Sequence, residues 1–343
     1  MSSIRSRIVD LAREAGVSTA TVDRVLHGRS NVRTATAQRV LRVAAELKYL
    51  PEADLWRALQ PPPMRLVFLL PAGTNRYLRM LGDSVGSAAA TLAPYNVRCS
   101  AHFIDSFDPR KVAAALRRHG ARAQGLAFMA LDHERVRQAV DELAERGVPV
   151  VTLISDLSPS RRVAYVGMDS LAAGRTAATL IGRFLGARSG PVAMIAGSLS
   201  YRGHGERELG FMQVMQAQFP HLQVVGAREG GDDAQTNYRQ ACALIRQHPD
   251  LAGLYNIGGG AEGVGRALQD RRSSDRAIFV AHGLTPDTRA LLTDGTLDAV
   301  INQHPQTMIH NAVRIFTNLR DGRKPTAGVE PMRLSIVMRE NLP

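Results

Sequence analysis

The sequence predicts an α/β protein: a small all-α domain followed by a core of parallel, doubly wound sheets shared between two lobes. Three observations carry this. From residue 65 onward, short apolar runs alternate with amphipathic helical stretches, the pattern of parallel strands covered by helices on both faces. Ahead of them lie three short helical periods interrupted by glycines. Between the two parts, Pro61-Pro62-Pro63 fits neither a helix interior nor a central strand and marks a joint. At 343 residues the chain exceeds one core, and its 45% hydrophobic residues suffice for several.

In chain order, Ile8, Leu11, Ala12 and Ala15 fall at helical spacing, and Gly16 ends that helix where a positive φ is needed. Ser18 is the N-cap of a second helix, in which Val22, Val25 and Leu26 face inward. Thr19, Ala20, Asp23 and Arg24 share its outer face, and Gly28 ends it. A third helix spans Thr34 to Lys48, with Val40, Leu41, Ala44 and Leu47 as its buried stripe. Two short helices joined by a tight glycine turn, with small residues and an arginine on the exposed second one, describe a helix-turn-helix. Such a second helix fits the major groove, where its outward N-terminal residues reach base edges. The plain alternative is an ordinary three-helix packing unit.

The stretch 52–60 has room for one or two helical turns before the prolines. Strand-like runs then appear at 65–71, 125–131, 148–154, 163–168, 191–197, 251–257, 277–283 and 297–303, with helices between them such as 133–146 and 304–321. Ligands of doubly wound sheets bind beyond the strand C-termini, so the residues there are the binding candidates.

"DLAREAGVSTATVDRVLHG", followed by "NVRTATAQRVLRVAAELKYLP", closely resembles the headpiece of the LacI/GalR family of bacterial transcriptional regulators over residues 8–51. The resemblance implies that Thr19, Ala20 and Arg24 read bases, and that Ser18, Thr21, Asn31 and Thr36 contact phosphates. Asp23 stands where the family usually has serine; a carboxylate there accepts from cytosine N4. Family members carry a hinge helix whose leucine wedges into the minor groove. Here Ala58 holds that place, which leaves Leu55 or Leu59 for the role, with Trp56 between them.

The core resembles the type I periplasmic sugar-binding fold found in these regulators, whose chain crosses between lobes three times. The crossings fall near 168, 303 and 328. The expected domains are a headpiece at 1–50, a hinge at 51–64 and a ligand-binding and dimerisation core at 65–343. Within the core, one lobe takes 65–168 and 304–328, the other 169–303 and 329–343. By alignment to sugar-binding relatives, the ligand residues are Asn75, Tyr77, Asp156, Arg207, Asn256, His282 and Gln303. Polar side chains bonding to hydroxyls, with an aromatic on a ring face, hold sugars and polyols. Relatives commonly have an acid near 283; Gly283 leaves that role to His282.

The formal net charge of +12 suits a polyanionic partner. Cys99 and Cys242 form no metal motif and no disulfide framework. No signal-peptide run opens the chain and no stretch approaches a membrane span, so a cytoplasmic protein is expected. Gly258-Gly259-Gly260-Ala261-Glu262-Gly263 formally fits a dinucleotide fingerprint, but it lies outside the first βαβ unit and reads as a tight cleft loop. His204, Glu206 and Glu208 read as a solvated local cluster. No nucleophile–base pair is evident, and no cofactor or metal is expected.

Three function classes follow. A transport receptor needs a signal peptide and no headpiece, and a Rossmann-like cytosolic enzyme needs a cofactor loop in its first βαβ unit. The residues fit the third: a sequence-specific DNA-binding repressor, not an enzyme, whose operator affinity responds to a small sugar or polyol between the lobes. One headpiece makes few contacts, so a homodimer on a palindromic operator is expected.

Overall fold

Leu11, Ala12, Ala15, Val22, Val40 and Ala44 form one small core between three helices, α1 (Ile8–Glu14), α2 (Thr19–Leu26) and α3 (Thr34–Glu46). The turn between α1 and α2 is made by Gly16 at φ +62. Ser18 caps α2, its Oγ accepting the Thr21 N–H at 3.2 Å. In this computed structural model the described residues are 8–27, 32–47, 49, 63–105, 108–271 and 276–343. Gly28, Asn31, Leu55, Trp56, Ala58 and Leu59 lie outside them, as do Pro61 and Pro62. The chain divides into two compact units, Met1–Pro63 and Met64–Pro343.

The second unit holds two sheets. The first contains β1 (Met64–Pro71), β2 (Val97–Ile104), β3 (Gly125–Met129), β4 (Val150–Leu153) and β5 (Ala164–Val166), in the order β2-β1-β3-β4-β5 and parallel throughout. The second contains β6 (Gly190–Ala196), β7 (Leu222–Glu229), β8 (Gly253–Asn256), β9 (Ile278–His282), β10 (Ala299–Asn302) and β11 (Ser335–Val337), in the order β11-β10-β9-β8-β6-β7. Among the described strands only β11 is antiparallel to its neighbour, at the edge of an otherwise parallel sheet. It follows a helix docked on the other lobe, so the geometry that makes βαβ strands parallel does not act on it.

The chain passes between the sheets after Val166, after Asn302 and before Ser335. Helix Ser170–Leu185 places Ala173, Ala177, Ala178 and Ile181 in the core of the second lobe. Helix Pro305–Arg320 returns to the first, where Met308, Ile309, Ala312, Val313 and Phe316 complete the core under β1 and β3. Each sheet is covered on both faces, as its buried central strands require.

Candidate functional site

On α2, Thr19, Ala20 and Arg24 are exposed, as is the capping Ser18. Thr21 is half-buried and its hydroxyl lies 2.9 Å from Ser18 Oγ. Asp23 approaches His27 Nδ1 at 3.1 Å. Thr36 sits in the first turn of α3, half-buried. One open helix face thus offers small residues at its start and an arginine one turn on, a shape that enters a groove without steric obstruction.

The second site is a cleft between the two sheets. The loop after β1 and the first turn of helix Arg76–Ser87 bring Asn75 and Tyr77. Met129, Ile154 and Met168 form an apolar wall. From the second lobe come His204 and Arg207 on helix Arg202–Gln218, Asp232 after β7, the loop Gly258–Gly260, His282 and Gln303. The glycines are needed: a Cβ on Gly258 would run into Asp232 Oδ1, and one on Gly259 into the Asn75 side chain.

The cleft is held shut by bonds between lobes. Thr74 Oγ1 donates to Asp233 Oδ2 at 3.3 Å, Asn75 Nδ2 to Asp232 Oδ2 at 3.2 Å, and Arg76 Nε to Asp287 Oδ2 at 3.0 Å. On another side, the Gly203 N–H donates to Ser155 Oγ at 3.2 Å. Tyr77 Oη donates to the Gln303 carbonyl at 3.2 Å, and Gln303 Oε1 accepts from the Met168 N–H at 3.3 Å, so Gln303 ties two of the crossings together.

Of the seven sequence-predicted ligand residues, Asn75, Tyr77, Arg207, His282 and Gln303 line this cleft. Asp156 and Asn256 do not. Asp156 takes the Arg162 guanidinium on both oxygens and the Thr152 hydroxyl at 2.6 Å, which turns it away. Asn256 is fully buried and spends Nδ2 on the Gly258 and Gly259 carbonyls at 2.8 and 3.0 Å. It shapes the cleft loop without facing the cavity. Lining residues that the sequence reading did not name as ligand residues include Arg76, His204, Asp232, Glu262, Thr285 and Thr288. His204 is buried, not solvated, and its spacing three residues before Arg207 was the available signal: both lie on one helix face.

Burial lowers the pKa of His204 against the opposing pull of Asp232, with Arg207 adding to the lowering. Burial, then Arg207 and His204, hold His282 well below the usual imidazole range. Both shifts favour the neutral ring. Burial raises the Tyr77 and Tyr255 hydroxyls, which stay protonated. Arg207 is 4% exposed; its Nη1 donates to the Ile257 carbonyl at 2.8 Å while its Nε is buried without a partner. His282 Nε2 lies 2.6 Å from Tyr255 Oη, and its Nδ1 is likewise buried and unpartnered.

Residues 7–52 match the lacI family of bacterial regulatory proteins, and residues 66–324 match the periplasmic binding protein domain. Catabolite control protein A of Streptococcus mutans is 28% identical over 261 residues, 73% of this chain and 75% of that protein. The ribose import binding protein RbsB of Escherichia coli is 26% identical over 212 residues, 61% of this chain and 69% of that one. Among solved structures, GanP, a glucose-galactose binding protein from Geobacillus stearothermophilus, superposes with a TM-score of 0.73 at 23% identity, covering 82% of this chain and all of GanP. With a lacI-type reading head on a periplasmic-binding-protein core, the chain belongs to the LacI family of DNA-binding transcriptional regulators.

Proposed function

We propose that this regulator is a cytoplasmic, homodimeric repressor whose hold on a palindromic operator is set by a small polyhydroxylated effector bound in the cleft between its lobes. The carrying observation is the pair of buried, unpartnered donors, Arg207 Nε and His282 Nδ1, in a cavity lined from both lobes. Buried polar groups are almost always bonded, so two orphans on residues that line one cavity support a ligand supplying the partner. Arg207, His282, Gln303, Tyr77 and Asn75, with Asp232 and His204 added, hold it. Sugar binding by the relative RbsB, as its name states, supports the class.

In the headpiece, Thr19, Ala20 and Arg24 read bases, Asp23 accepts from a cytosine amine, and Ser18, Thr21, Asn31 and Thr36 contact phosphates. Leu55 or Leu59 of the hinge enters the minor groove. Effector binding changes how the lobes close, and with it the spacing of the two headpieces of a dimer.

The test takes an operator selected from random DNA by the full-length protein, with binding followed by fluorescence anisotropy. A panel of sugars and polyols is screened by thermal shift, since a specific ligand stabilises by mass action. A sugar that raises Tm is expected to change operator affinity, and Arg207→Ala is expected to lose both effects. Panel compounds that change neither, or an Arg207→Ala variant that responds like the wild type, would overturn the reading.

A further inference from the structure

We infer that the effector carries an oxyanion head group, a carboxylate or a phosphate, seated on Arg207 Nε and His282 Nδ1 with its hydroxyl-bearing body toward Asp232. This rests on the cleft being the effector site.

The tautomer of His282 comes first. Tyr255 is fully buried, and its hydroxyl has His282 Nε2 as partner at 2.6 Å. A neutral phenol beside a neutral imidazole satisfies both when O–H donates to Nε2. The ring proton then sits on Nδ1, a buried donor without a partner on a residue that lines the cavity. The assignment follows from the hydrogen-bond network. Arg207 Nε–H is a donor by nature. The two orphaned atoms at this end are therefore both donors.

A hydroxyl oxygen accepts from such donors, but it brings a hydrogen that needs an acceptor of its own. Most nearby acids are engaged elsewhere: Asp287 takes Arg76, Asp156 takes Arg162, and Glu206 takes Arg202. Glu262 lines the cleft beside Arg76 and Asp287. Asp232 takes Asn75 Nδ2 and, at 2.7 Å, the Gly259 N–H, and keeps acceptor sites free. An acid in place of Gly283 would be strained, because Gly283 sits at φ +77 and a Cβ there would lie a tight 3.2 Å from the Tyr77 ring. The facing wall of Met129, Ile154 and Met168 accepts nothing of consequence. Among the described residues, Arg207 has no carboxylate within ion-pair distance, although it is 4% exposed. A buried, unpaired cation is costly, and an oxyanion is acceptor-only and charge-matched. Asp232, beside the Gly258–Gly259 loop, has acceptor sites left for hydroxyls. His204 lies between, within electrostatic reach of both Arg207 and Asp232.

The experiment uses the full-length protein and matched pairs at constant ionic strength: D-gluconate with D-glucose, D-galacturonate with D-galactose, and D-ribose 5-phosphate with D-ribose. Thermal shift finds the binder and calorimetry gives Kd; the two kinds of acid separate carboxylate from phosphate. At least one acid is expected to bind about tenfold or more tightly than its neutral partner, the scale of a charge-assisted bond to a buried group. His282→Phe, which removes the N–H at similar volume, is expected to erase most of that preference, and so is Arg207→Gln. If Arg207→Gln is unfolded by circular dichroism, His282→Phe alone decides. A neutral sugar that binds as well as its acid, with binding lost in these variants, overturns the inference and leaves the cleft as effector site. An acid that binds both variants at wild-type strength overturns the inference and the cleft reading together. No shift from any pair also overturns the inference.

Discussion

Asn75 Nδ2 donates to Asp232 Oδ2 across 3.2 Å, and the two residues stand on opposite lobes. Asn75 does double duty, because its Oδ1 also accepts the Leu78 N–H and caps helix Arg76–Ser87. With Thr74 and Arg76 bonded to Asp233 and Asp287, three consecutive residues close one rim of the cleft.

Asn75→Asp keeps the cap but sets a second carboxylate against Asp232, so the closed form is expected to be disfavoured. Small-angle scattering should give a larger radius of gyration than wild type at pH 7.5, with effector affinity reduced about tenfold or more. Asn75→Ala, which loses the cap and the bridge, is expected to cost about 2 kcal/mol in urea unfolding of the core. An Asn75→Asp protein as compact and as tight-binding as wild type would show that this contact does not govern closure.

Arg24→Ala is expected to weaken operator binding by about 1–3 kcal/mol and to relax specificity at one base pair, without loss of fold. Arg24 lies exposed in the last turn of α2, outside the small core around Leu11 and Val22. Gel-shift titration against the selected operator and its point variants checks this. Unchanged affinity and specificity would remove Arg24 from the reading face.

Arg207→Ala and Gln303→Ala are each expected to abolish the effector response in calorimetry. Arg207 loses its direct contact. Gln303 acts partly through position, since its Oε1 holds the Met168 N–H and its carbonyl holds Tyr77. Wild-type effector affinity in both variants would place the binding site elsewhere.

Stability is expected to fall as pH drops below about 6.5, the ordinary histidine value. His282 and His204 are lowered in the folded state, chiefly by burial, with Arg207 adding and Asp232 opposing at His204. Between the folded and unfolded values the unfolded chain binds more protons, so stability rises with pH across that window and is fully present above it. Each histidine contributes at most about 1.4 kcal/mol per pH unit. Urea titrations from pH 7.5 to 5.5 should show this slope in the wild type and a shallower one in His282→Phe. Equal slopes would mean that His282 does not titrate with unfolding.

The strands read from the sequence are those whose residues are buried on both faces, such as β3 and β8. β2 and β7 were not read. Both are edge strands whose residues are half-buried or exposed, save Leu222, so neither shows a continuous apolar run. The cost reached the site: Asp232 lies just beyond the C-terminal end of β7, so a strand left unread hid a cleft residue. Arg207 and Gln303 were legible because their flanking motifs align without gaps. Asp156 and Asn256 stand near the right strand ends, but their side chains are claimed by Arg162 and by the Gly258–Gly259 loop. Which neighbour claims a polar side chain is a fact of three dimensions.

The return of helix Pro305–Arg320 to the first lobe also sets the order in which the protein comes to exist. Phe316 is fully buried against the strand of Gly125, where a Cβ would meet its ring at 2.6 Å, and it packs with residues made some 190 to 250 positions earlier, such as Leu66 and Phe68. A ribosome therefore releases the DNA-reading head long before the sensing core can close, because domains fold as units during synthesis. A chain cut short between Pro63 and that helix would carry the whole head unit without a finished sensor.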